Sequence, residues 1–386
     1  MNPGDFTKPV KAHTRGPLPA WLGLLAAIAE PIYRWEITRR NRAFDAGRGV
    51  VSLDRPVISV GNLSVGGTGK SPMVARVVRT LIAMGQAPCI AMRGYGARHG
   101  GRSDEEDSYL RQFPGVAVIA RADRVEGLLD LFAEEARAHD RAGESGEANA
   151  SPAITREGPP KVSDVVVLDD GFQHRRVARD LDIVMIDATR NPFEDRLLPR
   201  GWLREPAQSL SRAGLVVLTH GDEARNAKLE REVHEIKADL PILRAKHTWE
   251  GLLWRDAGSG EDRELPSASL SGRRVMVCCA IGNPDRFIAM VRGAIGADPC
   301  EVLTLRDHDA YEPGTIAKLL ELARASRADV IIVTDKDWSK LRRVRPEVWP
   351  CAVARPRLEL TLSGEAALET ALREAIERHR VSMLAN

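Results

Sequence analysis

Short runs of consecutive apolar residues recur along the chain, each closed by glycine, an acid or a polar residue. They are PVISV (56–60), APCIAM (87–92), VAVIA (116–120), VVVLDD (165–170), LDIVMID (181–187) and LVVLTH (215–220). Runs that are apolar at successive positions suit strands of a parallel sheet covered on both faces. Between the first two runs the apolar positions change to helical spacing at Met73, Val74, Val77, Val78, Leu81 and Ile82. The order strand, glycine loop, helix, strand opens a parallel α/β unit.

A second α/β pattern begins near Arg273 with RRVMVCCA, continues through a helix from about Asp285, and adds the strand-like runs CEVLTL (300–305) and ADVIIVTD (328–335). ILRAKHTWEGLLW (242–254) and VARPRLELTL (353–362) read as extended segments, which predicts a two-strand connection between the lobes and a cleft between them. Residues 139–161 are rich in Gly, Ala, Pro, Ser and charge without apolar period, the pattern of a flexible surface insertion. The division expected is an N-terminal segment 1–42, a nucleotide-binding domain 43–241, and linker strands with a C-terminal α/β domain 242–386.

The N-terminal segment departs from this pattern. PLPAWLGLLAAIA (17–29) is thirteen residues long, short of the ~20 needed to span a bilayer. No small-residue cleavage site follows it, as a secretory signal would require. Trp21 lies within it, Tyr33 and Trp35 come after it, and Arg39, Arg40 and Arg42 follow. Such a helix suits the membrane interface; a helix packed on the protein is the other reading.

Composition adds limits. The 386 residues suit two domains, and 43% apolar with 28% charged residues describes a soluble, globular chain. Fifty-six basic against fifty-four acidic side chains leave a net charge of +2, no global field for nucleic acid, so an anionic partner must be held by local clusters. Five cysteines, Cys89, Cys278, Cys279, Cys300 and Cys351, lack metal-ligand spacing. They read as core residues of a reduced, intracellular chain.

Two motifs carry chemistry. In Ser64-Val65-Gly66-Gly67-Thr68-Gly69-Lys70-Ser71, residues without Cβ let backbone N–H groups approach phosphate oxygens, and the next helix adds its N-terminal dipole. Lys70 would reach the β and γ phosphates and the Ser71 hydroxyl a Mg²⁺ ion. The usual pattern opens with Gly where this chain has Ser64. In VVVLDDGFQH, Asp169 and Asp170 close a buried strand at its carboxyl end, where sheets of this class bind ligands. They suit a metal ion, although paired acids also cap turns. Gln173 and His174 follow them.

Taken together with RGYG (93–96), RLLPRGWLREP (196–206), RDHDAY (306–311) and TDKDWSKL (334–341), these motifs resemble the tetraacyldisaccharide 4'-kinases, the lipid A 4'-kinase family. The resemblance implies two α/β lobes joined by a β linker, and transfer of the ATP γ-phosphate to the 4' hydroxyl of an acylated glucosamine disaccharide 1-phosphate. It implies ATP and Mg²⁺, a glycolipid substrate, and work at the cytoplasmic face of the bacterial inner membrane. Gly66, Gly67, Thr68, Gly69, Lys70 and Ser71 would bind nucleotide, with Ser71, Asp169 and Asp170 at the metal.

The family's catalytic aspartate and following glutamate match Asp104 and Glu105. Ser103 stands where the family more often has Gly, so Asp107 is a rival base. The partner histidine matches His308 in Asp307-His308-Asp309, where the family's second His is replaced. Glu105, Gln173, His174, Arg204 and Glu205 match substrate-side positions, while Glu194, Asp195 and Trp202 depart from the family's loop. A carboxylate accepting the hydroxyl proton as the bond forms supplies the chemistry. Arg93 and Arg121 could neutralise phosphate or form surface ion pairs. From another class, a membrane-associated P-loop ATPase acting as a switch would share the glycine loop, the sheet and the N-terminal helix. A non-catalytic, nucleotide-regulated scaffold would need no Asp104.

Overall fold

The computed structural model describes residues 17, 20–65, 69–94, 102–144, 162–282, 284–307 and 309–385, the side chains of 20, 104, 142–144, 247 and 286 excepted. The chain forms two compact units, one of residues up to 246 together with those from 362, the other of residues 247–361.

The first unit starts with helix α1 (Gly23–Asp45) and strand β1 (Val57–Asn62), followed by α2 (Lys70–Ala83), β2 (Pro88–Met92) and α3 (Asp104–Gln112). Then come β3 (Ala117–Ala120), α4 (Arg124–Glu144), β4 (Val165–Asp169), β5 (Leu181–Asp187), β6 (Leu215–Thr219), α5 (Glu223–Ile236) and β7 (Ile242–Arg255). All seven strands are parallel in the order β7-β6-β5-β1-β4-β2-β3. Every residue of β1, β2, β4 and β6 is buried, as the doubly apolar runs require. α2 buries Met73, Val74, Val77, Val78 and Leu81 at the expected spacing, while Ile82 is exposed. Each such side chain contributes about 1.5–3 kcal/mol on leaving water. α4 continues through 139–144, residues expected in a surface insertion, because Arg, Ala and Glu there extend a helix without difficulty. The rest of that insertion, 145–161, lies outside the described residues.

The second unit adds β8 (Arg263–Leu265), β9 (Val275–Cys279), α6 (Pro284–Ile295), β10 (Glu301–Thr304), α7 (Pro313–Ala325), β11 (Val330–Ile332), α8 (Asp335–Leu341) and β12 (Ala352–Ser363). Its strands β10, β9, β11 and β12 are parallel neighbours, and β8 pairs antiparallel with β7. The chain crosses between the units in β7 and again in β12, the two extended connectors expected from the sequence. Helix α9 (Glu365–Leu384) then packs in the first unit, burying Leu368, Leu372, Ala375 and Ile376. All five cysteines are free, and Cys89, Cys278, Cys279 and Cys351 are buried. Among the described residues no helix is long and apolar enough to cross a membrane.

Candidate active site

The glycine loop connects β1, in the middle of the first unit's sheet, to α2. Residues 66–68, and so the expected ligands Gly66, Gly67 and Thr68, lie outside the described residues. Gly69 caps α2 at φ 85°, a left-handed conformation that L side chains resist. Lys70 and Ser71 follow as the first residues of the helix. The crossing of β1 by the acidic loop is equally demanding: a Cβ on Gly61 would sit 2.5 Å from the Phe172 Cβ, so GNLS and DDGF fit only with glycine there.

Asp169 and Asp170 leave the neighbouring strand β4. Asp170 has φ 51° and faces two cations: Lys70 Nζ at 3.4 Å, and Arg204 Nη1 at 2.9 and 2.8 Å from its two oxygens. Burial alone would raise its pKa, but Lys70 and Arg204 outweigh it and hold the carboxyl below its ordinary range. Buried Asp169 accepts a hydrogen bond from the Tyr109 hydroxyl at 2.9 Å. Burial, then the charge of Glu105, push its pKa up to about 6. Ser71 lies beside the Tyr109 hydroxyl and acts to lower its pKa, against the larger upward effect of burial. One hydroxyl and two carboxylates form the hard-oxygen set that suits Mg²⁺, with Ser71, Asp169 and Asp170 the residues that would hold it.

Helix α3 brings Glu105 and Tyr109 to this site on one face. Ser103 serves as its N-cap: its hydroxyl accepts from Glu106 N at 3.2 Å while the Glu106 carboxylate accepts from Ser103 N at 3.4 Å. That capping box explains Ser at the place where the resemblance expects Gly. Asp104 is the first residue of the helix. Asp107 lies about 200° around the helix from Glu105, on the face away from Asp169.

The RLLPRGWLREP segment runs beside the entry to the glycine loop. Leu203 bridges Ser64 antiparallel, Val65 N donates to Trp202 O at 2.8 Å, and Arg204 N donates to Leu63 O at 2.7 Å. Asp195, one of the residues that depart from the family's loop, accepts from the backbone N–H groups of Arg196 and Trp202. An acid serves that turn as an amide would. Arg190 lies over the Trp202 ring, 4.8 Å from its centroid.

Gln173 donates to Asn62 O at 2.8 Å and accepts from Arg204 at 3.4 Å, so it belongs to the same cluster. Burial and the nearby Arg124 depress His174 to a pKa of about 4, which leaves it neutral near pH 7. Glu205 is 0% exposed. It accepts from Asn41 and from Arg212, both at 2.9 Å, so it holds the loop rather than facing the site. Arg121 forms a surface ion pair with Asp130.

Sequence reasoning missed Tyr109, and also Arg124, which is buried and donates to Asp170 O at 3.3 Å. Tyr109 carried one usable signal, its i,i+4 spacing from Glu105; Arg124 carried none.

In the second unit His308 lies outside the described residues, but the segment around it is firmly held. Lys340 donates to Asp309 O at 2.7 Å, Arg343 to Ala310 O at 3.0 Å, and Tyr311 N to Asp309 Oδ1 at 2.7 Å. Asp337, 0% exposed, accepts from Ala280 N and Thr334 Oγ1, which ties the TDKDW motif to the end of β9.

A glycine loop opening on Lys70-Ser71, with a carboxylate pair on the adjacent parallel strand, defines a P-loop nucleotide-binding protein. The family model described as tetraacyldisaccharide-1-P 4'-kinase matches residues 22–377, and the chain belongs to that family. It is 35% identical to the tetraacyldisaccharide 4'-kinase of Geobacter metallireducens, over 91% of this chain and 97% of the relative. Identity to the same enzyme of an Anaeromyxobacter strain is 34%, covering 94% and 93%. LpxK from Aquifex aeolicus, solved in complex with ATP, superposes with a TM-score of 0.63 at 26% identity, covering 92% of this chain and 99% of that one.

Proposed function

We propose that this chain transfers the γ-phosphate of ATP to the 4' hydroxyl of an acylated glucosamine disaccharide 1-phosphate, at the cytoplasmic face of a bacterial inner membrane. The observation that carries this reading is the cluster Lys70, Ser71, Asp169, Asp170 and Arg204 in a chain of this family. In this reading Gly66 to Gly69 cradle phosphate through backbone N–H groups, and Lys70 exchanges Asp170 for the β and γ phosphates. Mg²⁺, held by Ser71 and the acidic pair, supplies charge neutralisation when bound. Asp104 accepts the hydroxyl proton, with His308 its partner by family resemblance. Gln173, His174, Glu105 and Arg204 serve the substrate side, Arg204 by also holding Asp170. Membership of a kinase family disfavours the switch ATPase.

The exposed apolar line of α1 and the 3-10 turn before it, Trp21, Leu24, Leu25, Ile28, Ile32 and Trp35, supports seating on a lipid surface. These positions recur on one side of a 3.6-residue helix.

The test is to incubate the full chain with labelled ATP, Mg²⁺ and the acylated disaccharide 1-phosphate in detergent. A bisphosphorylated lipid is expected, and Lys70→Ala should lower its formation at least a hundredfold in a folded protein. ADP without phosphorylated lipid would overturn the reading. Asp104→Ala and His308→Ala should each lower kcat, with a double variant little worse than Asp104→Ala alone.

A further inference from the structure

Helix α1 has two faces, and only the outer one suits a membrane. The inner line is Ala26, Glu30, Tyr33, Ile37 and Asn41, the first, second and fourth of them buried. Its polar members all reach one short stretch of chain. Glu30 pairs with Arg200 at 3.6 Å, the Tyr33 hydroxyl donates to Arg204 O at 3.0 Å, and Asn41 Nδ2 donates to Glu205 Oε2 at 2.9 Å. A second connection runs to the acidic loop: Arg175, next to His174, donates to Asn41 O at 3.0 Å and to Asp45 Oδ1 at 2.6 Å.

Arg204 is thereby held at both ends. Its carbonyl accepts from Tyr33 of α1, while its guanidinium grips Asp170. Glu205 next to it is a fully buried charge. Asn41 and Arg212 supply its hydrogen bonds, and its Oε1 has no partner among the described residues. Removing one donor from such a group leaves a poorly compensated charge, so the loop must shift.

We propose that Tyr33 and Asn41 are positioning residues for the phosphoryl-transfer site, and that the helix seating the chain on lipid also sets Arg204 against Asp170. The inference rests on the kinase reading above. α1 is then both a surface anchor and the back wall of the site.

The test uses full-length Tyr33→Phe, which removes only the hydroxyl, and Asn41→Leu, which keeps the volume. Both are assayed for lipid phosphorylation, sedimentation with anionic phospholipid vesicles, and thermal melting. One neutral hydrogen bond is worth about fivefold, so Tyr33→Phe should lower kcat about that much, and Asn41→Leu more. KM for ATP and vesicle sedimentation should stay within about twofold of the parent. In an Arg204→Ala background, Tyr33→Phe should add nothing, since it acts only through Arg204. Unchanged kcat in both variants would overturn the proposal, as would an undiminished effect of Tyr33→Phe in that background. So would a loss of kcat that only tracks the folded fraction. If the parent itself makes no phosphorylated lipid, the kinase reading fails and the positioning role falls with it; an active parent with silent variants sinks the positioning role alone.

Discussion

The Asp169 carboxyl shares its buried surroundings with the charges of Glu105 and Asp170, and it titrates near pH 6 rather than at its ordinary 3.8. Across that window the folded chain holds a proton that the unfolded chain has released. Stability therefore falls as pH rises from about 4 to about 6 and stays reduced above it. Asp169→Asn should make the free protein more stable at pH 7.5, by on the order of 2–3 kcal/mol, with the gap closing below pH 4. Urea unfolding at the two pH values measures this, and an Asn variant less stable at pH 7.5 would contradict it. Mg²⁺ should raise the melting temperature of the parent and not of the variant. Tyr109 bears on the same carboxyl from the other side. Its hydroxyl lowers the Asp169 pKa, so Tyr109→Phe should move the acidic limb of the pH–activity profile to higher pH. A profile that does not move would separate Tyr109 from the ionisation. The acidic pair was legible in the sequence because its two residues are adjacent and end an apolar run. Tyr109 was not, because its closeness to Asp169 comes from the packing of α3 beside the sheet, which no local pattern encodes.

At the scale of elements, α3 carries Asp104 and Asp107 three residues apart, at neighbouring positions of one side. With the base proposed at Asp104, Asp107→Ala should lower kcat less than threefold while Asp104→Ala is severe. The reverse order would make Asp107 the base. Helix α1 differs between its two sides. Replacing Leu24, Leu25 and Ile28 together by Ser should reduce sedimentation with vesicles at least tenfold, since each apolar side chain entering lipid contributes about 1 kcal/mol or more. Undiminished sedimentation would place the lipid contact elsewhere. The sequence showed an apolar segment with aromatic flanks, and two readings of it: a helix on the membrane or one packed on the protein. The structure has α1 packed by its inner line and exposed by its outer line. Spacing alone could not separate the readings, because the inner contacts depend on a loop more than 160 positions away.

For the whole molecule, the parallel strands were readable from doubly apolar runs and the connectors from two extended segments, whereas the destination of α9 was not. Its residues say that one side is apolar, not which unit buries it. In the structure His379 Nδ1 meets Asp180 Oδ1 at 3.1 Å while Asp180 Oδ2 accepts from Val57 N at 2.7 Å, so the end of the chain supports the start of the strand that carries the glycine loop. Deleting residues 365–386 should therefore destabilise the nucleotide-binding unit by about 5 kcal/mol or more, seen as a lower melting temperature and loss of ATP-dependent stabilisation. The two crossings have a further consequence. Arg244 N donates to Ser363 Oγ at 3.1 Å, and that hydroxyl donates back to Arg244 O at 3.1 Å, so the chain leaves and re-enters the first unit at one point. Residues 247–361 are, in topology, an insertion that leaves the first unit within β7 and returns within β12. The first unit's strand order β7-β6-β5-β1-β4-β2-β3 is complete without the inserted residues, so a change in the length of 247–361 leaves the threading of that sheet as it is.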